Sequence, residues 1–237
     1  MTQIIAMWSG PRNLSTAMLY AFAARGDCAV WDEPFYATYL QATKLPHPMA
    51  PEVIAAGEPD PARVAALCMK SPSQSLFYQK HMTLHMIPSF DRGFLKHLTN
   101  AFLIRHPARV IASYAQKRES PTLSDIGFTQ QSELFDQVAQ MTGQTPPVVD
   151  SADIRATPRE TLSRLCARLN IPFTEKMLSW PAGPKPFDGA WAPHWYNAVH
   201  ASTGFGDPEG PLPDLPPNLQ RLCDQALPHY EALRKFV

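Results

Sequence analysis

The sequence predicts an α/β protein in which helices cover both faces of a central parallel sheet, giving three layers. Short apolar runs alternate with helical patterns along the chain, the order that builds a parallel sheet. Arg12, Glu33, Lys80 and Arg105 each fall just after such a run, so one sheet edge gathers polar groups where ligands sit in this architecture. The 237 residues suit a single domain spanning 1–237, able to bury roughly 70–75% of its unfolded surface without staples.

The elements follow in order. Residues 3–8 read as a buried first strand, and the run from Met1 to Trp8 reads as strand rather than signal peptide. Residues 13–25 read as a helix closed by Gly26. Ala29-Val30-Trp31 is a second strand running into Asp32-Glu33-Pro34, with Asp32 read as a cap. Residues 35–45 look helical, 46–61 form a proline-rich loop, and 62–69 form a short helix. Leu76 to Lys80 suits a third strand, and 89–98 a helix. Ala101-Phe102-Leu103-Ile104 is the clearest central strand, followed by helices over 108–118 and 124–141. Residues 147–150 are a further strand, 158–169 an amphipathic helix, and 217–235 the last helix. Prolines concentrate at 46–61, 146–193 and 208–217, so the C-terminal third, about 180–237, is expected to be loop-rich.

Composition excludes several classes. Basic and acidic residues balance at 21 each, unlike the basic footprint of a duplex-DNA binder, so no nucleic-acid partner is expected. Cys28, Cys68, Cys166 and Cys223 are far apart, which reads as free thiols in a reducing, cytoplasmic setting rather than a zinc site. No window approaches about 18 apolar residues, so no membrane span is expected.

The most informative stretch is Gly10-Pro11-Arg12-Asn13-Leu14-Ser15-Thr16, between the first strand and the first helix. The first N–H groups of a helix lack internal partners, and the helix dipole favours an anion there. Arg12 adds charge, and Ser15 and Thr16 add hydroxyls. The Walker pattern Gly-x-x-x-x-Gly-Lys-[Ser/Thr] is absent. A second candidate anion motif is Arg105 at the end of the central strand with Ser113 eight positions on. A phosphate lies between them only if that helix folds back beside the first cradle. A Walker B site would instead end this strand in Asp to hold Mg²⁺.

These two motifs together resemble the sulfotransferases that use 3′-phosphoadenosine 5′-phosphosulfate (PAPS) and release 3′,5′-adenosine bisphosphate (PAP). Pro11-Arg12-Asn13-Leu14-Ser15-Thr16 aligns with the family loop Pro-Lys-Ser-Gly-Thr-Thr that binds the 5′-phosphosulfate. Arg105 and Ser113 match the family's Arg and Ser for the 3′-phosphate. The resemblance implies a P-loop-NTPase-like sulfotransferase fold and a donor site of Gly10, Pro11, Arg12, Asn13, Leu14, Ser15, Thr16, Arg105 and Ser113. It covers residues 1–120 well and is weaker at Asp150-Ser151-Ala152-Asp153-Ile154, which resembles a family strand before a Pro-Arg-Glu helix start at 158–160. Leu14 stands where the family has Gly, and Arg12 replaces Lys, keeping the charge in a planar fork. The Arg-Lys-Gly segment that closes over the 3′-phosphate has no clear copy, with Lys185 a candidate substitute.

Sulfonate transfer is an in-line displacement and, by analogy with phosphoryl transfer, is governed by positioning and charge stabilisation. With the leaving phosphate already held by cations, no metal is expected. The acceptor, a hydroxyl or amine on a small molecule, must lose a proton to a base. Glu33 is ranked first, because some family members place a catalytic Glu there, though it needs desolvation to act near neutrality. His81 is second. Lys80 is a candidate sulfonate-stabilising cation, with a surface lysine as the bland alternative. His81 and His85, four apart, form only a weak metal pattern without the Glu of His-Glu-x-x-His. The aromatic segment Trp191-Ala192-Pro193-His194-Trp195-Tyr196 lines an acceptor pocket, stacks on adenine or packs the core. Two other functions compete: a P-loop small-molecule kinase or nucleotide hydrolase, and a non-catalytic nucleotide-binding module retaining the fold.

Overall fold

The computed structural model describes residues 2–116 and 120–237. Met1 and the end of the helix predicted over 108–118 lie outside the described residues. The first strand, β1 (Gln3–Ser9), leads into α1 (Ser15–Ala24) and β2 (Cys28–Asp32). Three helices follow, α2 (Tyr36–Thr43), α3 (Ala50–Ala56) and α4 (Pro61–Cys68), before β3 (Leu76–Met82). Next come β4 (Thr99–Ile104), α5 (Pro107–Ala115), α6 (Leu123–Ile126), α7 (Phe128–Thr142) and β5 (Val148–Asp150). The chain continues through α8 (Ser151–Ala156), α9 (Pro158–Arg168), α10 (Ala192–Trp195), α11 (Asn197–His200) and α12 (Pro217–Arg234).

Among the described residues the strands form one all-parallel sheet in the order β2-β3-β1-β4-β5. Alternation along β1 feeds two cores. Ile5 and Met7 join Met18, Phe22, Leu103 and Leu165 on one face, while Ala6 and Trp8 join Phe94, Phe102 and Phe135 on the other. The α/β/α architecture is thus the one the sequence predicts. The chain leaves β1 toward the β3 side and later crosses to β4 on the opposite side. The C-terminal end of β1 is therefore the switch point where such sheets bind ligands.

Several expected elements differ. The 46–61 loop contains α3, because Pro51 sits in the first turn, where its missing N–H is harmless, and Val53 is buried. Residues 89–98 hold only a tight 3₁₀ turn at Gly93–His97, its entry fixed by Asp91 accepting from the Gly93 N–H at 2.9 Å. The helix expected over 124–141 is broken in two at Gly127, which takes φ 72°. Of the segment Asp150 to Ile154, only Asp150 is strand. Its carboxylate accepts from the Ala152 N–H at 2.8 Å and starts α8.

Candidate active site

The loop after β1 is shaped by close packing and by left-handed backbone. A Cβ on Gly10 would stand 2.7 Å from the Ile126 carbonyl oxygen, so only glycine lets the loop pass under the end of α6. Arg12 and Leu14 both take positive φ, 62° and 69°. Leu14 thus adopts the conformation for which glycine is the usual choice, at a cost of roughly 1–2 kcal/mol. Its side chain packs against the core face that α1 covers. The backbone shape survives the loss of glycine. No side chain caps α1, which leaves its first N–H groups directed at a cavity of about 400 Å³ lined by Pro11 through Thr16.

The two anion motifs meet at this cavity. Arg12 Nε donates to Ser113 Oγ at 2.9 Å, and Arg105 Nη1 donates to the Arg12 carbonyl at 2.8 Å. The helix α5 therefore does fold back beside the first loop. Burial, and then the Arg105 charge, pull the Arg12 pKa below its ordinary value. Two guanidiniums held this close favour an anion between or beside them. Gly10 itself is not in the lining, while Pro11, Arg12, Asn13, Leu14, Ser15, Thr16, Arg105 and Ser113 are.

The opposite wall is a buried charge cluster that the sequence did not reveal. Lys80 Nζ lies 2.9 Å from Asp32 Oδ1, 2.7 Å from Glu33 Oε1 and 2.6 Å from the Tyr196 hydroxyl. That hydroxyl donates to Asp32 Oδ2 at 2.7 Å and accepts from Trp191 Nε1 at 2.9 Å. Asp32 is therefore an ion-pair partner and not a cap, and Lys80 is not a surface lysine. Parallel register sets this geometry, since Asp32 of β2 lies opposite Lys80 of β3. Glu33 follows with φ 42°, a strained conformation of the sort that collects at functional sites. One ammonium between two carboxylates leaves surplus negative charge. Burial raises the Glu33 pKa, with Asp32 adding to it against the pull of Lys80. Burial opposes the Lys80 charge, but Asp32 and Glu33 outweigh it and raise that pKa. The desolvation that a glutamate base requires is present.

His81, the second-ranked base, does not reach the cavity, whereas His85 does. Strand alternation turns His81 to the other face of the sheet. There it stacks on Trp8 at 4.2 Å, and its Nε2 lies 3.1 Å from Gln79 Oε1. His85 instead lines the cavity. It stacks on Tyr36 at 4.5 Å, its buried Nδ1 has no hydrogen-bond partner, and that atom lies 4.0 Å from Glu33 Oε2. The signal that would have favoured it is the Thr83–His85 3₁₀ turn, which ends the alternation of β3 and re-aims the side chain.

Burial pushes the His81 pKa down to about 3, and burial with nearby cationic groups also lowers that of His85. An unfolded histidine titrates near 6.5, so below that pH the unfolded chain binds more protons than the folded one. The stability these rings confer is complete above about pH 6.5 and is lost as pH falls toward the folded value, with a slope of up to about 1.4 kcal/mol per pH unit for each ring. Urea midpoints are expected to drop across this window, and His81→Gln to flatten the slope. A midpoint independent of pH there would contradict a buried neutral His81.

Aromatic side chains complete the cavity, with Tyr36, Tyr114, Trp191, Trp195 and Tyr196 among its walls. Trp191 and Tyr196 are also core residues of a local cluster, so the C-terminal aromatic segment both packs and lines. Lys185 donates to the carbonyls of Pro181 and Gly183 at 2.7 and 2.8 Å. It is committed to its own loop and does not line the cavity. A residue absent from the expected site, Glu209, instead contacts Arg105, Arg109 and Arg155. Its signal was masked by the proline-rich stretch around it. Among the described residues no group of three or more His, Cys, Asp or Glu is arranged to hold a metal ion, and no helix is long and apolar enough to cross a membrane.

An Arabidopsis thaliana protein named branched-chain-amino-acid aminotransferase-like protein 1 is 36% identical over 236 residues. The match takes in 99% of this chain but 42% of that protein, so the chain spans about two fifths of its relative's length. Among solved structures, a sulfotransferase from Alicyclobacillus acidocaldarius superposes with a TM-score of 0.58 at 9% identity, covering 100% of this chain and 97% of that one. The sulfotransferase domain from the curacin biosynthetic pathway gives 0.53 at 17% identity, covering 95% and 97%. At such identities these two speak for the fold. The sulfotransferase domain profile matches residues 2–236, every position but the first and last, and the chain therefore belongs to the sulfotransferase domain family.

Proposed function

We propose that the protein transfers a sulfonate group from PAPS to a hydroxyl or amine of a small acceptor, without a metal ion. The observation that carries this is the juxtaposition in one cavity of an uncapped helix start backed by the Arg12–Ser113–Arg105 network and a desolvated glutamate on the facing wall. The residues present fit a donor bearing two phosphate groups. Pro11 to Thr16 with the first N–H groups of α1 would hold the 5′ side, and Arg105 with Ser113 the 3′-phosphate. When bound, PAPS supplies the sulfonate and a leaving phosphate.

The chain's own groups do the rest. Glu33 takes the acceptor proton, its raised pKa bringing it closer to neutral solution than an ordinary carboxylate. Lys80 holds Glu33 in place through Oε1. The 4.0 Å between Glu33 Oε2 and His85 Nδ1 lets one hydroxyl or amine lie within hydrogen-bond distance of both, at about 2.8 Å. The aromatic walls suit an apolar or aromatic acceptor body. A kinase reading lacks both the Walker lysine in 10–16 and an acidic residue at the end of β4, where Arg105 stands. The non-catalytic reading loses weight because Leu14 keeps the loop in glycine's conformation.

The test is ligand-induced stabilisation. PAP at 100 times its dissociation constant is expected to stabilise the fold by about 2.7 kcal/mol, seen as an upward thermal shift of the same size with and without Mg²⁺. A shift that appears only with Mg²⁺ and ATP would overturn the sulfotransferase reading. PAP binding without product formation across phenol and amine panels would favour the non-catalytic module.

A further inference from the structure

Three guanidiniums converge on a single carboxylate beside the donor cavity. Arg105 Nη2 pairs with Glu209 Oε1, Arg109 Nε lies 2.8 Å from Oε2, and Arg155 Nη1 lies 3.5 Å from Oε1. Arg109 also donates to the Gly210 carbonyl. Arg105 and Arg155 line the cavity, and the Nε atom of each is buried without a hydrogen-bond partner. Glu209 rides on an irregular segment whose other residues from Gly206 to Leu212 are exposed. Its side chain is only 3% exposed. The segment is thus fastened to the body largely by one glutamate.

Charge shows what this place is built for. Three arginines and one carboxylate leave two positive charges in excess. A phosphate monoester carries about −1.5 to −2 charge at neutral pH with three acceptor oxygens, so it matches the cluster better than a carboxylate does. Guanidinium forks suit either anion, and the competition between them is direct.

We infer that Glu209 is an internal stand-in for a phosphate monoester at a subsite made of Arg105, Arg109 and Arg155, and that the ligand's phosphate displaces it and frees the strap 206–212. This rests on the donor reading above, and it extends that reading by adding Arg109 and Arg155 to the site and making Glu209 its competitor. Closure by Glu209 lowers apparent affinity by the fraction of molecules in which the subsite is open. A strap closed nine times in ten would weaken binding about tenfold.

Calorimetric titration of the wild-type chain and Glu209→Gln with PAP and with adenosine 5′-monophosphate separates the possibilities. Expected are about tenfold tighter PAP binding in the variant and unchanged affinity for the monophosphate, which lacks the 3′-phosphate. Inorganic phosphate should show the same preference for the variant, more weakly. In the wild type, with no substitution needed, amide hydrogen exchange in 206–212 should speed up on saturation with PAP. PAP affinity that is equal or weaker in Glu209→Gln, or a strap that becomes more protected, overturns the stand-in role and leaves the donor reading standing. Failure of PAP to bind either form overturns both.

Discussion

Replacing Lys80 with methionine is expected to destabilise the fold by about 3–5 kcal/mol, the cost of removing one partner from a buried ion cluster. The side chains of Lys80 and Asp32 are each 1% exposed, so water cannot take over when the ammonium is lost. Asp32 would retain the Tyr196 hydroxyl at 2.7 Å and the Gly189 N–H at 3.3 Å, whereas Glu33 would lose its Oε1 partner. Two carboxylates on consecutive residues at the end of β2 would then repel without a mediator, and protonating one of them would be the cheapest escape. The variant should therefore recover part of its stability as pH is lowered, which an apolar cavity mutant would not. Lys80→Arg is not a safe control, because the fork is planar and larger than the ammonium it replaces. Urea denaturation at two pH values reads both effects. A loss under about 1 kcal/mol would place the cluster among surface-like pairs and remove Lys80 as the element that fixes Glu33.

How much of this was legible in the sequence depends on what each residue needed from distant chain. The sheet was legible, because near-continuous apolar runs and helical periodicity are local signals. Arg12 and Arg105 were legible as groups just past strand ends, whereas Lys80, read the same way, lies inside β3, two residues before its end. The pairing of Lys80 with Asp32 was not legible, because it depends on β2 lying beside β3 in the register that sets these two residues opposite each other. His81 was read as following the third strand and His85 was weighed only as a metal partner; β3 in fact runs through His81 to Met82, and the 3₁₀ turn after it brings His85 to the cavity. The break at Gly127 was legible in principle, because Ser124, Asp125, Phe128 and Thr129 around the glycine are weak helix formers. Glu209 was hidden differently: it lies 104 positions from Arg105, in a stretch whose prolines advertise a loop and say nothing of where one side chain is anchored.

Glu33→Gln is expected to leave the fold and PAP affinity intact while lowering sulfonate transfer by about 10²–10⁴-fold, the usual worth of a positioned base. The sign of the stability effect follows from the raised pKa. A carboxylate whose folded pKa exceeds its unfolded one is more protonated in the folded state, so its ionised form costs stability as pH rises through that value. The amide removes that cost, and Lys80 keeps Asp32 as its counter-ion, so the net change should fall within about 1 kcal/mol. The rate effect has its own pH signature. Glu33 accepts a proton only when ionised, so wild-type activity should fall on the acid side through its raised pKa, and the variant's residual activity should lose that limb. Rates are read as PAP formed from PAPS with a phenol or amine acceptor. Equal loss in kcat and kcat/KM would mark an interaction made only as the proton moves, whereas a raised KM alone would mark acceptor binding. If Glu33→Gln keeps its rate within a few-fold and His85→Gln does not, the proton passes to His85 Nδ1, and Glu33, whose Oε2 lies 4.0 Å from that nitrogen, is left to hold the acceptor. The two outcomes assign opposite roles to the same pair of atoms, and in either case the strained φ of 42° is that of Glu33, which then takes the proton or positions the group that loses it.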